Sequence, residues 1–96
     1  MDQPTDRPTP AQGVALQEVQ VRLRYWAGAR AAAGVEEDVV SASSVSQALA
    51  AAALLRPALV PVLPACSVLV DGRTVPRDAS LAGATLVEVL PPFAGG

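Results

Sequence analysis

From Glu18 onward the chain alternates without a break. Val19, Val21, Leu23 and Tyr25 share one parity, and Gln20, Arg22, Arg24 and Trp26 share the other. Successive side chains of a strand point to opposite faces, so this segment is a half-buried strand with one apolar side and one wet side. Such a strand needs a second layer over its apolar face. One long helix is available to supply it. Ser44-Val45-Ser46-Gln47 has the spacing of a capping box, and Ala48 through Arg56 behind it is built of strong helix formers. Pro57 ends that helix, because the residue before a proline is pushed out of helical geometry.

The remaining elements are shorter. Ala27 to Ala33, closed by Gly34, reads as a short helical turn with a glycine stop. Glu36-Glu37-Asp38 leads into a second strand at Val39 and Val40. Three adjacent carboxylates invite a metal reading, but no other ligand residues accompany them, and a solvated turn and strand edge is expected instead. Pro57 to Pro64 is a connector with a turn of helix. Ser67 to Val70 is a third strand, Asp71-Gly72 a hairpin turn, and Arg73-Thr74-Val75 its return. In the last strand, Thr85 to Leu90, Val87 and Val89 face one way and Leu86, Glu88 and Leu90 the other. Glu88 belongs in water, which places Leu86 and Leu90 at or near the surface. The order of elements predicts an α+β two-layer domain over residues 17–90, with one main helix packed on one face of a mixed sheet. It is compatible with a ubiquitin-like β-grasp. Residues 1–16, rich in Pro and polar residues without periodicity, read as a disordered leader, and residues 91–96 as a flexible tail.

Composition narrows the chemistry. The chain is 51% hydrophobic, but 19 Ala and 14 Val against single Phe, Trp and Tyr residues predict a thin core. All seven cations are Arg, with no Lys and no His, which removes histidine dyads and triads, imidazole metal ligation and lysine Schiff bases. A net charge of −2 offers no electrostatic footprint for nucleic acid. The single Cys66 lies in an apolar run without a base nearby and reads as a buried structural thiol, consistent with a reducing compartment. The start of the chain lacks the charged and apolar regions of a signal peptide. Its most apolar stretch, Ala48 to Val70, is interrupted by Arg56, Pro57, Pro61 and Pro64, too often for a membrane span. A soluble, cytoplasmic protein is the expectation.

The chain closes on Pro91-Pro92-Phe93-Ala94-Gly95-Gly96, directly after a strand. Together with Leu23-Arg24-Tyr25-Trp26-Ala27-Gly28-Ala29-Arg30 and Val68-Leu69-Val70-Asp71-Gly72, this ending resembles the MoaD/ThiS family of sulfur-carrier proteins. The likeness spans about residues 18–96, and the Pro-Pro-x-x-Gly-Gly ending favours the branch of molybdopterin synthase small subunits over the thiamine branch. Two positions depart from the family pattern. Gly83-Ala84-Thr85 stands where an Asp-Gly-Asp turn is common, and Ala31 where a Glu often follows Arg30.

The resemblance implies that the terminal carboxylate of Gly96 is adenylated with ATP by a ubiquitin-activating-type enzyme. A sulfur donor enzyme then converts it to a thiocarboxylate, whose sulfur passes to cyclic pyranopterin monophosphate in molybdenum cofactor biosynthesis, within a complex with the large catalytic subunit of molybdopterin synthase. No bound cofactor or metal is expected, and the chain alone would be non-catalytic. Gly95 and Gly96 lack side chains and suit a narrow tunnel, while Pro91 and Pro92 reduce the entropy lost when the tail is ordered. Phe93 is expected to anchor in a partner. In a β-grasp sheet the first and last strands are parallel neighbours, which would bring Trp26 and Leu90 together at the root of the tail as a partner-binding surface, with Arg30 pairing to an acidic partner. Sulfur carriage for thiamine or cysteine, and a ubiquitin-like protein modifier, are the alternatives.

Overall fold

A computed structural model describes residues 17–92 of the chain. Its first strand, β1 (Val19–Tyr25), buries Val21, Leu23 and Tyr25 and leaves Gln20 and Arg22 exposed, as the alternation predicts. Ala27–Ala33 forms a short helix, α1, which stops where Gly34 adopts a left-handed conformation (φ 79°) that suits a residue without Cβ. The second strand, β2 (Glu37–Ala42), runs antiparallel to β1, with Val21 opposite Val40 and Arg24 opposite Glu37.

The main helix, α2 (Val45–Leu55), starts at Ser44, whose hydroxyl accepts the Gln47 N–H at 3.2 Å. The reciprocal half of the box is displaced by one residue: Gln47 Oε1 accepts the N–H of Ser43, not of Ser44, at 2.7 Å. Arg56 and Pro57 close the helix, and the proline-rich connector makes two 3-10 turns, Pro57–Leu59 and Leu63–Ala65. The third strand, β3 (Ser67–Val70), turns at Asp71 and Gly72 into the two-residue β4 (Arg73–Thr74). Both turn residues have positive φ (47° and 88°), as a tight hairpin of matching twist requires.

The last strand, β5 (Leu86–Leu90), inserts between β1 and β3, parallel to the first and antiparallel to the second. The sheet order is β2-β1-β5-β3-β4, the mixed sheet of a ubiquitin-like β-grasp. Asp71 ties the hairpin to the entry of β5. Its carboxylate accepts the Thr85 hydroxyl at 2.8 Å and the Leu86 N–H at 3.0 Å, and these bonds hold its pKa below the usual carboxylate range. The Gly83-Ala84-Thr85 segment is thereby anchored from outside by a carboxylate that the sequence assigns only to a turn.

Small residues build much of the core. Ala29, Ala42, Ala48 and Ala52 are fully buried, and Tyr25, Leu23, Leu59 and Leu81 are the largest buried side chains. Cys66 is buried beneath the sheet, where its thiol donates to the Val62 carbonyl and burial raises its pKa. No helix of the described residues is long and apolar enough to cross a membrane.

The acidic cluster differs from expectation at one residue. Glu36 is solvated and Glu37 sits on the strand edge, but the side chain of Asp38 is only 10% exposed. The strand's alternation turns Asp38 toward α2, where Arg56 meets it with two hydrogen bonds of 2.7 and 3.1 Å. Tyr25, directly below, donates its hydroxyl to the same carboxylate at 2.8 Å. The Arg56 bonds, with help from Tyr25, hold the Asp38 carboxyl below its ordinary pKa. Burial first, and then the Asp38 bond, push the Tyr25 phenol far above its own.

Candidate partner-docking site at the tail root

The parallel pairing of β1 and β5 sets Tyr25 beside Val89, so both strands end at the same edge of the sheet. There β5 runs into Pro91 and Pro92, and β1 runs into Trp26, whose N–H donates to the Val89 carbonyl at 3.1 Å. Next comes Ala27 with φ 47°, a left-handed conformation that costs a non-glycine residue about 1–2 kcal/mol. This kink turns the chain from β1 into α1 and leaves Trp26 on the open face of the sheet. Trp26 is 40% exposed and shares its strand parity with Arg24.

Two contacts fix the indole. Its Nε1–H donates to Glu88 on β5 at 3.2 Å, and the Arg24 guanidinium stacks over the ring 5.6 Å from its centre. Arg24 is itself held by Glu37 at 2.8 Å, with Arg22 also on that carboxylate at 3.2 Å. The two guanidiniums, Arg22 foremost, depress the Glu37 pKa. The result is a chain of side chains running across three strands, from Glu37 through Arg24 and Trp26 to Glu88.

Beside Trp26 opens a mainly apolar groove of about 810 Å³, walled by Leu69, Leu90, Pro91 and Pro92 and floored by Ala27, Gly28 and Ser67. Trp26 and Leu90, expected to meet at the root of the tail, line this one groove. Gly28 belongs to it because α1 passes close to the tail: a Cβ there would touch Pro91 at 4.0 Å. Leu69 and Ser67 are additions that parity on a single strand cannot reveal. They enter because β3 pairs with β5, Leu69 opposite Glu88 and Ser67 opposite Leu90.

Arg30 stands apart from the groove, on α1, and pairs with Glu36 of its own chain at 3.1 Å; both are exposed. A partner's carboxylate would therefore have to compete with Glu36 for it. Phe93, Ala94, Gly95 and Gly96, to which the tail chemistry is assigned, and the leader at residues 1–16, lie outside the described residues. Among the described residues, no three His, Cys, Asp or Glu side chains gather into a group that could hold a metal. The chemistry open to this surface is apolar docking by a partner next to the exit of the tail.

Comparison with known proteins agrees with the fold. The ThiS family model matches residues 23–96. Among solved structures, the chain is similar to small archaeal modifier protein 1 of Haloferax volcanii at 22% identity and a TM-score of 0.73, covering 81% of this chain and 100% of that one. It is similar to a putative molybdopterin converting factor subunit 1 from Pyrococcus furiosus at 21% identity and a TM-score of 0.67, covering 78% and 99%. A complex of subunits 1 and 2 of molybdopterin-converting factor from Helicobacter pylori matches at 20% identity and a TM-score of 0.60, covering 81% of this chain and 100% of that one. At these identities the likeness carries the fold. No curated protein matches the chain at a significant level.

Proposed function

The chain belongs to the ThiS family, and on that premise we propose that it is a ubiquitin-like carrier whose working group is the carboxylate of Gly96. An ATP-dependent activating enzyme adenylates this carboxylate with release of pyrophosphate. The acyl group is then transferred with loss of AMP, to sulfur as a thiocarboxylate or to an amine of another protein as an amide. The observation that supports this most is the apolar groove between Trp26, Leu69 and Leu90, which opens where Pro91 and Pro92 lead into the tail. A partner seated there would receive the end of the chain in its own active site. Pinned by Glu88 and Arg24, Trp26 is already set as an anchor, which lowers the ordering cost of docking. Every catalytic acid, base and metal belongs to the partners, in keeping with a chain that has no His.

Two acceptor classes follow from this activation. Similarity to archaeal modifier proteins supports attachment to other proteins, and membership of the ThiS family supports sulfur carriage in a pathway other than molybdopterin synthesis. The second reading, sulfur donation to cyclic pyranopterin monophosphate beside a large catalytic subunit, is supported by the paired prolines and by the similarity to molybdopterin-converting subunits.

Intact mass measured after co-expression with the native activating machinery separates a sulfur carrier from a protein modifier, and dithiolene formation on adding a large catalytic subunit and the pterin precursor separates the sulfur pathways. Exchange of one oxygen for sulfur at Gly96, absent from a chain lacking Gly96, is the expected mark of the carrier. Amide-linked adducts on other proteins mark the modifier. If neither forms, the reading is overturned.

A further inference from the structure

An activated acyl group endangers the molecule that carries it, because any nearby amine or thiol of the same chain can capture it. Four residues follow Pro92, about 14 Å of extended chain, and a lysine side chain would add roughly 6 Å to that reach. Several surface positions fall inside this radius. Arg24 is paired with Glu88, four residues before Pro92, or roughly 13 Å along the strand. Arg30 is two residues beyond Gly28, where α1 passes close enough to Pro91 that an added Cβ would lie 4.0 Å from its ring. Both positions carry positive charge, and both are Arg in a chain that has no Lys anywhere.

The other reactive side chains are withdrawn into the fold. Cys66 adjoins Ser67, which floors the groove, but strand alternation points the thiol the opposite way, into the core at 6% exposure. Tyr25 adjoins Trp26 and is likewise turned inward at 1% exposure, with its hydroxyl bonded to Asp38. Burial also raises the pKa of both groups, which keeps them in their less nucleophilic protonated forms.

We propose that the surface around the tail root is built to be inert toward the chain's own activated C-terminus, with Arg24 and Arg30 supplying charge without an amine and Cys66 and Tyr25 turned into the core. A guanidinium keeps its proton and is a poor nucleophile, whereas an ammonium loses its proton readily enough to attack. In the reaction avoided, a lysine amine would add to the Gly96 carbonyl. A C–N bond would form as the bond to AMP or to a thiol breaks, the leaving group would depart, and the ammonium proton would pass to solvent. The product would be a closed ring unable to transfer its acyl group. This inference rests on the proposed activation of Gly96, and it concerns capture of the acyl group by the chain's own side chains.

The test uses the N-terminally acetylated chain carrying a small-thiol thioester at Gly96, so that no activating enzyme is needed. Arg24→Lys and Arg30→Lys are compared with wild type and with Gln20→Lys. Gln20 is exposed on the same face, but it stands opposite a point roughly 26 Å before Pro92, beyond reach. Intact mass distinguishes ring closure, which loses the thiol alone, from hydrolysis, which loses the thiol and gains water. The two Arg variants are expected to close at least about tenfold faster than wild type and Gln20→Lys, through the raised effective concentration of a tethered amine. Ser67→Cys, which puts a thiol in the groove, is expected to take up the acyl group where Cys66 does not. Equal rates in all chains, ring closure in wild type, or closure in Gln20→Lys as fast as in Arg24→Lys overturns the proposal. Failure of Ser67→Cys to react overturns the role given to the burial of Cys66. None of these outcomes depends on activation in cells, so a failure here is separate from failure of the carrier reading.

Discussion

Trp26 and Glu88, 62 positions apart in the chain, are joined by an indole-to-carboxylate hydrogen bond of 3.2 Å across the parallel β1–β5 pair. The bond holds the indole as one wall of the groove at the tail root. Trp26→Ala is expected to weaken binding of the activating enzyme by about 2 kcal/mol or more, roughly thirtyfold, as a central aromatic anchor does. Its Tm should change little, because the side chain is 40% exposed. Glu88→Gln, which retains an acceptor, should bind more tightly than Glu88→Ala; titration calorimetry against the purified activating enzyme checks both.

Beneath that face, Tyr25 and Arg56 share Asp38. Tyr25→Phe removes one donor while the two Arg56 bonds remain, and is expected to cost about 1 kcal/mol, or a fall in Tm of about 4–8 °C for a domain of this size. The folded-state pKa of Tyr25 is raised, so its contribution is whole below the ordinary phenol value of about 10 and is lost as pH rises above it. Denaturant unfolding at increasing pH should show a steeper alkaline decline in wild type than in Tyr25→Phe.

Asp38 has the opposite sign. Its folded pKa is depressed by Arg56, so its contribution is present above the ordinary carboxylate value of about 4 and is lost as pH falls through the folded value. Asp38→Asn should flatten the acid limb of the stability curve. At neutral pH, Asp38→Ala should cost about 2–3 kcal/mol, because it leaves the Arg56 guanidinium and the Tyr25 hydroxyl without their shared acceptor.

Ala27 carries the strain that turns β1 into α1. Ala27→Gly should raise stability by about 0.5–1 kcal/mol, since glycine adopts positive φ freely. Ala27→Val should lower it by at least as much. A Tm ordered Gly above Ala above Val is the expected result of thermal unfolding.

Adding one alanine after Gly96 is expected to abolish adenylation and leave Tm unchanged. ATP–pyrophosphate exchange with the activating enzyme, measured beside a thermal melt, checks both halves. Exchange at the wild-type rate contradicts the assignment of Gly96.

The elements themselves were legible because their signals are local. Alternation from Val19 to Trp26, the Ser44 cap, the Pro57 stop and the Asp71-Gly72 turn each act within a few residues, and the structure has all of them. The outward placement of Trp26 was equally readable from parity on β1. Less legible were the partners of polar side chains. Glu36, Glu37 and Asp38 look alike as neighbours, yet they face a solvated Arg30, the open sheet and the half-buried Arg56 respectively. Alternation separates Glu37 from Asp38, but the arginine that meets Asp38 is fixed by where α2 ends over the sheet.

By itself, then, the sequence determined the strands, the main helix and their apolar faces. The groove was decided by tertiary structure. Trp26, Leu69 and Leu90 come from three strands, and only the insertion of β5 between β1 and β3 brings them together. Strand pairing between distant segments depends on how the whole sheet closes over one helix, a property that no single window of residues contains.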